Sequence, residues 1–293
     1  MWNWLVEPLT YEFMQNALIV GTLVGIICPV VGSYLIVQRM ALLGDVIAHA
    51  VLPGLAIANF LGIDLLFGAF TSGIVSTFVI AWIRSQSRVK VDSAMALTFS
   101  SFFGLGVLLL TVLQRRIDLE DLLFGDILSV TATDVWRTGA IALVVLLLVR
   151  LFYKELLFFT FDRLGAEAIG LPVNLINLGL MAGITLTIIA GMKTVGVILV
   201  ISLMVGPAIT AYLLVRELHL MMFWGAAIGA IASVIGMYAS YYVDLPSGPA
   251  IALTVFALFI TALLFSPSQG IVTRSRITDR LRQRINRRTD SSR

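Results

Sequence analysis

The sequence predicts an all-α membrane protein, a polytopic bundle of about eight or nine transmembrane helices, and three observations predict it. Of 293 residues, 59% are hydrophobic and only 13% charged, with a mean hydropathy of +0.99; an ordinary soluble domain carries roughly 25% charged residues. Apolar runs of about 20 residues, enough to cross a hydrocarbon core of about 30 Å as a helix, recur along nearly the whole chain. The alternating segments of about 10 residues that a transmembrane barrel requires do not occur.

Taken in order, the elements begin with MWNWLVEPLTYE, which holds two glutamates and no lysine or arginine. A cleavable leader needs a basic start, so the first apolar run, 13–38, is expected to stay as a helix. The turn Gln38, Arg39, Met40 leads to a second span at 41–62, which contains GDVIAHAVLPG. Spans at 65–83 and 94–113 follow, parted by Arg84, Arg88 and Lys90. The loop 114–133 carries Arg115, Arg116, Asp118, Glu120, Asp121 and Asp126. A fifth span at 134–153 precedes the mixed segment 154–172, and four more fall at 172–190, 195–215, 219–242 and 249–267. The loop 114–133 and the link GMKTVG at 191–196 are the two places where the count turns on eight or nine. Residues 1–267 thus form one transmembrane domain, and 268–293 a basic tail.

With the amino terminus outside, sixteen of the twenty basic residues fall on inside segments, and only Arg115, Arg116, Arg137 and Lys193 fall outside. The positive-inside rule selects that orientation, and nine spans put the carboxyl terminus in the cytoplasm. The tail holds eight arginines and two aspartates, a charge of +6, so the rest of this +3 chain carries −3. The chain-wide basic balance therefore says nothing about nucleic acid, and no nucleic-acid partner is expected; the tail is expected beside anionic lipid. A single cysteine, Cys28, excludes an internal disulfide and any CxxC metal site.

Small residues recur at helix-packing intervals: Gly21 and Gly25, Gly179 and Gly183, and Gly225, Gly229, Ser233 and Gly236. Such spacing lets backbones approach closely in a bilayer, within a bundle or between subunits. Pro29, Pro53 and Pro207 lie inside spans, and each invites a kink.

Asp45 and His49 are the chemically informative pair. A carboxylate near the bilayer centre costs at least about 2.5–3.5 kcal/mol, so something must offset it. Positions i and i+4 of a helix lie on one face, about 5–6 Å apart, so both groups can reach one point. Imidazole nitrogen with carboxylate oxygen suits Mn, Fe or Zn, and the lack of sulfur argues against Cu(I). The bland alternative is a mutually satisfied pair turned into the bundle. Two ligands make a thin site, whereas a two-fold dimer supplies two aspartates and two histidines around its axis.

The run VGSYLIVQRMALLGDVIAHAVLPGLAIANFLG, residues 31–62, resembles the signature of the ABC-3 permease family, the membrane subunits of bacterial manganese, zinc and iron importers. LLFGDIL at 122–128, DRLGAEAIGLPV at 162–173 and LVISLMVGPAITAYLL at 199–214 fit as well, and HAVLPG resembles the manganese/iron branch more than the zinc branch. The resemblance implies a type II-like importer permease in the bacterial cell (inner) membrane, with Asp45 and His49 as the metal-contacting pair on the translocation path. It places Asp126 in an F-G-D motif, beside Glu120 and Asp121 on the side from which metal arrives, as weaker metal candidates. It likens Ala166, Glu167, Ala168 and Gly170 to the coupling motif that docks on an ATPase. Implied partners are a second permease copy, two cytoplasmic ATPase subunits, an extracytoplasmic metal-binding protein and the lipid bilayer. No cofactor is held permanently; the metal, Mn2+ first and Fe2+ or Zn2+ otherwise, is cargo.

The chain offers no ATPase of its own. AGMKTVG lacks the Gly-Lys order of a phosphate loop, so hydrolysis is expected on another protein. A secondary transporter or channel would share the composition and the pair. An intramembrane enzyme finds no HExxH or GxSxG.

Overall fold

The computed structural model describes residues 6–113, 125 and 127–266. Short 3-10 turns at Pro8–Thr10 and Ile127–Ser129 accompany twelve α-helices among the described residues: α1 Glu12–Val37, α2 Leu43–Ala50, α3 Leu52–Leu61, α4 Leu65–Gln86, α5 Val91–Val112 and α6 Ala132–Leu151, then α7 Tyr153–Phe161, α8 Arg163–Ala168, α9 Val173–Val195, α10 Val197–Leu214, α11 Leu218–Val243 and α12 Ser247–Phe265. Nine candidate spans result among those residues, with α2 and α3 together forming the second. Residues 191–195 of the GMKTVG link join α9 instead of re-entering, whereas residues 114–124 and 126 of the loop 114–133 lie outside the described residues. The basic tail lies outside the described residues.

Local chemistry starts several of these helices. Asp64 accepts from the Leu66 amide at 2.9 Å at the head of α4, and Thr131 with Asp134 forms a capping box on α6. Each such cap satisfies amides that the first turn would leave unpaired. Gly196 alone separates α9 from α10; its φ of 83° and ψ of 155° form a bend that a side chain would oppose.

α1 is the centre of the bundle, packed by α11, α10, α6 and α9. A Cβ added at Gly25 would lie 2.7 Å from both the Gly229 carbonyl oxygen and Ser233 Oγ, and one at Gly229 would collide with the Gly25 carbonyl. The two backbones therefore touch, as the spacing of small residues predicts. Gly179 and Gly183 have nothing within reach of such a Cβ among the described residues, so their spacing serves no contact there.

The three prolines differ. Pro29 and Pro207 stay inside continuous helices, whereas Pro53 falls in the first turn of α3 and the span breaks at Val51. Proline cannot donate to the carbonyl four residues back and its ring pushes that carbonyl aside; at Pro53 that residue is His49. The neighbouring Ala50 carbonyl is taken up from outside, by Ser72 Oγ of α4 at 2.7 Å.

Candidate metal site

The turn before α2 sets its position. Arg39 has φ 58°, a left-handed conformation costly for a side-chain-bearing residue, and the Met40 amide returns to the Leu35 carbonyl at 2.8 Å. The chain so reversed enters α2, two turns long, packed against α5, α9, α4 and α10. Its tight fit is visible at Gly44, where a Cβ would sit 3.2 Å from Met204 Sδ.

Asp45 and His49 lie one above the other on this helix, with His49 Nε2 3.4 Å from Asp45 Oδ1. The histidine side chain is 20% exposed and the aspartate 44%, so the pair is neither sealed into the core nor fully on the surface. It occupies the first two turns of the span, nearer one end than the middle. The imidazole is braced from α5: Phe99 meets it edge-on at 5.2 Å and 89°, Phe103 at 5.7 Å and 80°, and the two phenyl rings lie stacked at 6.0 Å and 11°. Such T-shaped contacts hold a ring's direction as well as its position. Sequence reading missed these phenylalanines; the available signal was their own i, i+4 spacing, matching that of the polar pair.

Chemically, the arrangement presents one ring nitrogen and a carboxylate to a common point, a borderline donor set that suits first-row divalent cations. Among the described residues no group of three or more His, Cys, Asp or Glu converges, so one copy offers a two-residue shell. His219, the other histidine, sits in the first turn of α11, exposed and 3.3 Å from Glu217.

Asp126, Glu120 and Asp121 lie outside the described residues. Gly125 is described; it has φ 65°, and a Cβ there would run into the Gly196 amide nitrogen. Gly125 therefore abuts the bend between α9 and α10. The predicted coupling segment 154–172 resolves into α7 and α8, parted at Asp162, whose Oδ1 accepts from the Gly165 amide at 2.8 Å. Ala166 is buried while Glu167 and Ala168 are exposed. Gly170, φ 84°, ends the motif, with the Leu171 amide bonded to the Ala166 carbonyl at 3.0 Å. α8 thus stands out as a short, rigidly capped helix with one buried face.

A family model described as ABC 3 transport family matches residues 10–266. The manganese transport system membrane protein MntC of Listeria monocytogenes is 43% identical over 262 residues, covering 89% of this chain and 94% of that one. A probable iron transport system membrane protein of Haemophilus influenzae is 37% identical over 266 residues, covering 91% and 98%. The solved structure of PsaBC from Streptococcus pneumoniae in complex with Fab superposes with a TM-score of 0.82 at 38% identity, covering 91% of this chain and 96% of that one.

Proposed function

The chain belongs to the ABC 3 transport family, and from that membership we propose that it is the permease of an ATP-driven importer of divalent transition metals, with Mn2+ as its first cargo. The observation that carries the reading is the Asp45–His49 pair, 3.4 Å apart and partly exposed on a helix that a proline break ends in mid-span. A buried pair closed on itself would have no reason to remain open.

Two copies related by a two-fold axis bring two such pairs together, giving up to four ligating side chains. An extracytoplasmic binding protein delivers the ion to the outer face of the dimer. Two attached ATPases, docked at α8 through Glu167, Ala168 and Gly170 with Ala166 as its buried anchor, tilt the bundles and expose the ion to the cytoplasm. A thin shell favours release, because tight coordination would trap the ion. Affinity order alone favours Zn2+ over Mn2+, so the binding protein carries part of the selectivity. Asp126, Glu120 and Asp121, outside the described residues, are the weaker metal contacts of this reading. The amino terminus is extracytoplasmic and the arginine-rich tail cytoplasmic, in a bacterial cell (inner) membrane. The support for manganese is the chain's similarity to manganese transport proteins such as MntC; the Haemophilus relative makes Fe2+ the second cargo to try, and Zn2+ follows from the donor set.

The test is ATP-driven uptake of radioactive Mn2+ into vesicles holding permease, ATPase and binding protein, with Fe2+ and Zn2+ as competitors. Asp45→Ala and His49→Ala each lower uptake by at least about tenfold while still co-purifying with the ATPase. Normal uptake by both variants removes the site, and uptake by this chain alone without ATP removes the importer reading.

A further inference from the structure

A cavity of about 910 Å³ opens between the end of α4, the short helix α8 and the start of α9, away from Asp45 and His49. Arg84 of α4 and Arg163 of α8 both line it. Among the described residues neither arginine makes an ion pair. Each is held by something soft instead: Arg84 Nη1 lies 4.0 Å from Met40 Sδ, and the Arg163 guanidinium lies 5.9 Å above the Phe159 ring. Two guanidinium groups line one cavity with the Glu167 carboxylate as the charge opposite them, which leaves a net positive lining that an anion between the arginines would neutralise.

The rest of the lining states which kind of anion. Following α4 back from Arg84, the wall becomes Trp82, 57% exposed, then Phe78, 62% exposed; across from them α9 contributes Leu178, 42% exposed. These residues belong to two membrane spans. The groove is therefore cationic where the spans end and apolar one to two turns deeper, with a tryptophan at the change, where amphipathic rings settle in bilayers. A water-soluble ATPase does not reach that deeper wall. Glu167 also lines the mouth, four residues from Arg163 on α8, and offers an acceptor to a head-group hydroxyl.

We propose that this groove binds an anionic phospholipid, its phosphodiester held between Arg84 and Arg163 and an acyl chain lying along Trp82, Phe78 and Leu178. Guanidinium forks match phosphate oxygens, and basic pockets between spans are the expected seats of anionic head groups. The lipid ties α8, the proposed ATPase contact, to the end of a span. With the orientation proposed above, the groove opens in the cytoplasmic leaflet; the leaflet and the ATPase contact rest on that reading, the lipid site does not.

The test uses the complete permease–ATPase complex, reconstituted in phosphatidylcholine with a minority of phosphatidylglycerol, extracted in mild detergent and weighed with its retained lipid by native mass spectrometry. Wild type retains phosphatidylglycerol selectively. Arg84→Gln lowers that retention about fivefold and Arg84→Gln with Arg163→Gln about thirtyfold; Arg88→Gln, close by in sequence but outside the groove, retains it fully. A photoactivatable phosphatidylglycerol, which needs no variant, labels wild type at residues 78–85 or 163–167. Full retention by the double variant overturns the proposal, as does labelling confined to other segments. Displacement by inorganic phosphate makes the site one for free anions and also overturns it. Loss of the ATPase or of the second copy from the double variant, with lipid retained, makes the groove a protein contact and does the same. Retention involves neither cargo nor ATP, so its outcome is separate from that of the uptake test.

Discussion

Where α1 meets α11 two backbones touch with no side chain between them, whereas Asp45 and His49 stand on a two-turn helix bounded by a strained turn and a proline break. The most apolar stretch of α1 is 72% buried inside the chain; that of α5, which braces His49, is 17% buried. The span that carries the pair is itself 67% buried, so the contrast lies in its neighbour: α1 is closed by backbone contact, whereas α5 leaves most of its surface to lipid or to another subunit. The difference teaches where rigidity is invested. A permease that tilts around an ion needs one body that does not deform, and interfaces bistable enough to move against it.

The comparison breaks most visibly at Gly229. Gly229→Val drives a branched side chain into the Gly25 carbonyl, and overpacking against backbone costs about 3 kcal/mol, the upper end of the usual range; the expected outcome is loss of the folded peak in detergent chromatography. Asp45→Ala is the converse, losing at least about tenfold in uptake with a melting temperature near that of wild type, since the aspartate is 44% exposed. A melting temperature that falls as far as the Gly229 variant's would make the pair structural. Arg39→Val forces a branched residue into the left-handed turn before α2 and costs about 1–2 kcal/mol; Arg39→Gly restores the stability, both read by thermal melting. Smallest is Ser72→Ala, which strips the Ala50 carbonyl of its outside donor at about 1 kcal/mol. Its effect on uptake should exceed that of Thr71→Ala, whose hydroxyl bonds only within α4.

The spans were legible because hydropathy is a local property that a twenty-residue window captures. The i, i+4 relation of Asp45 and His49 was legible for the same reason: helical geometry fixes it within one turn. What was not legible depends on distant residues. Pro29, Pro53 and Pro207 look alike in sequence, yet a helix breaks only at Pro53, where Ser72, nineteen positions on, supplies a donor to the Ala50 carbonyl just before the break. Phe99 and Phe103 reach His49 across two helices some fifty residues away, and no pattern near His49 announces them. Of two further small-residue sets, Gly25 with Gly229 became a contact while Gly179 and Gly183 did not, because spacing states only that a close approach is allowed.

The direct measurement is pulsed electron paramagnetic resonance of Mn2+ bound to the purified complex. The account predicts modulation from an imidazole nitrogen in wild type, absent in His49→Gln although that variant still folds and holds its ATPase. Nitrogen coupling that persists in His49→Gln, or none in a wild-type protein with Mn2+ bound, would contradict it.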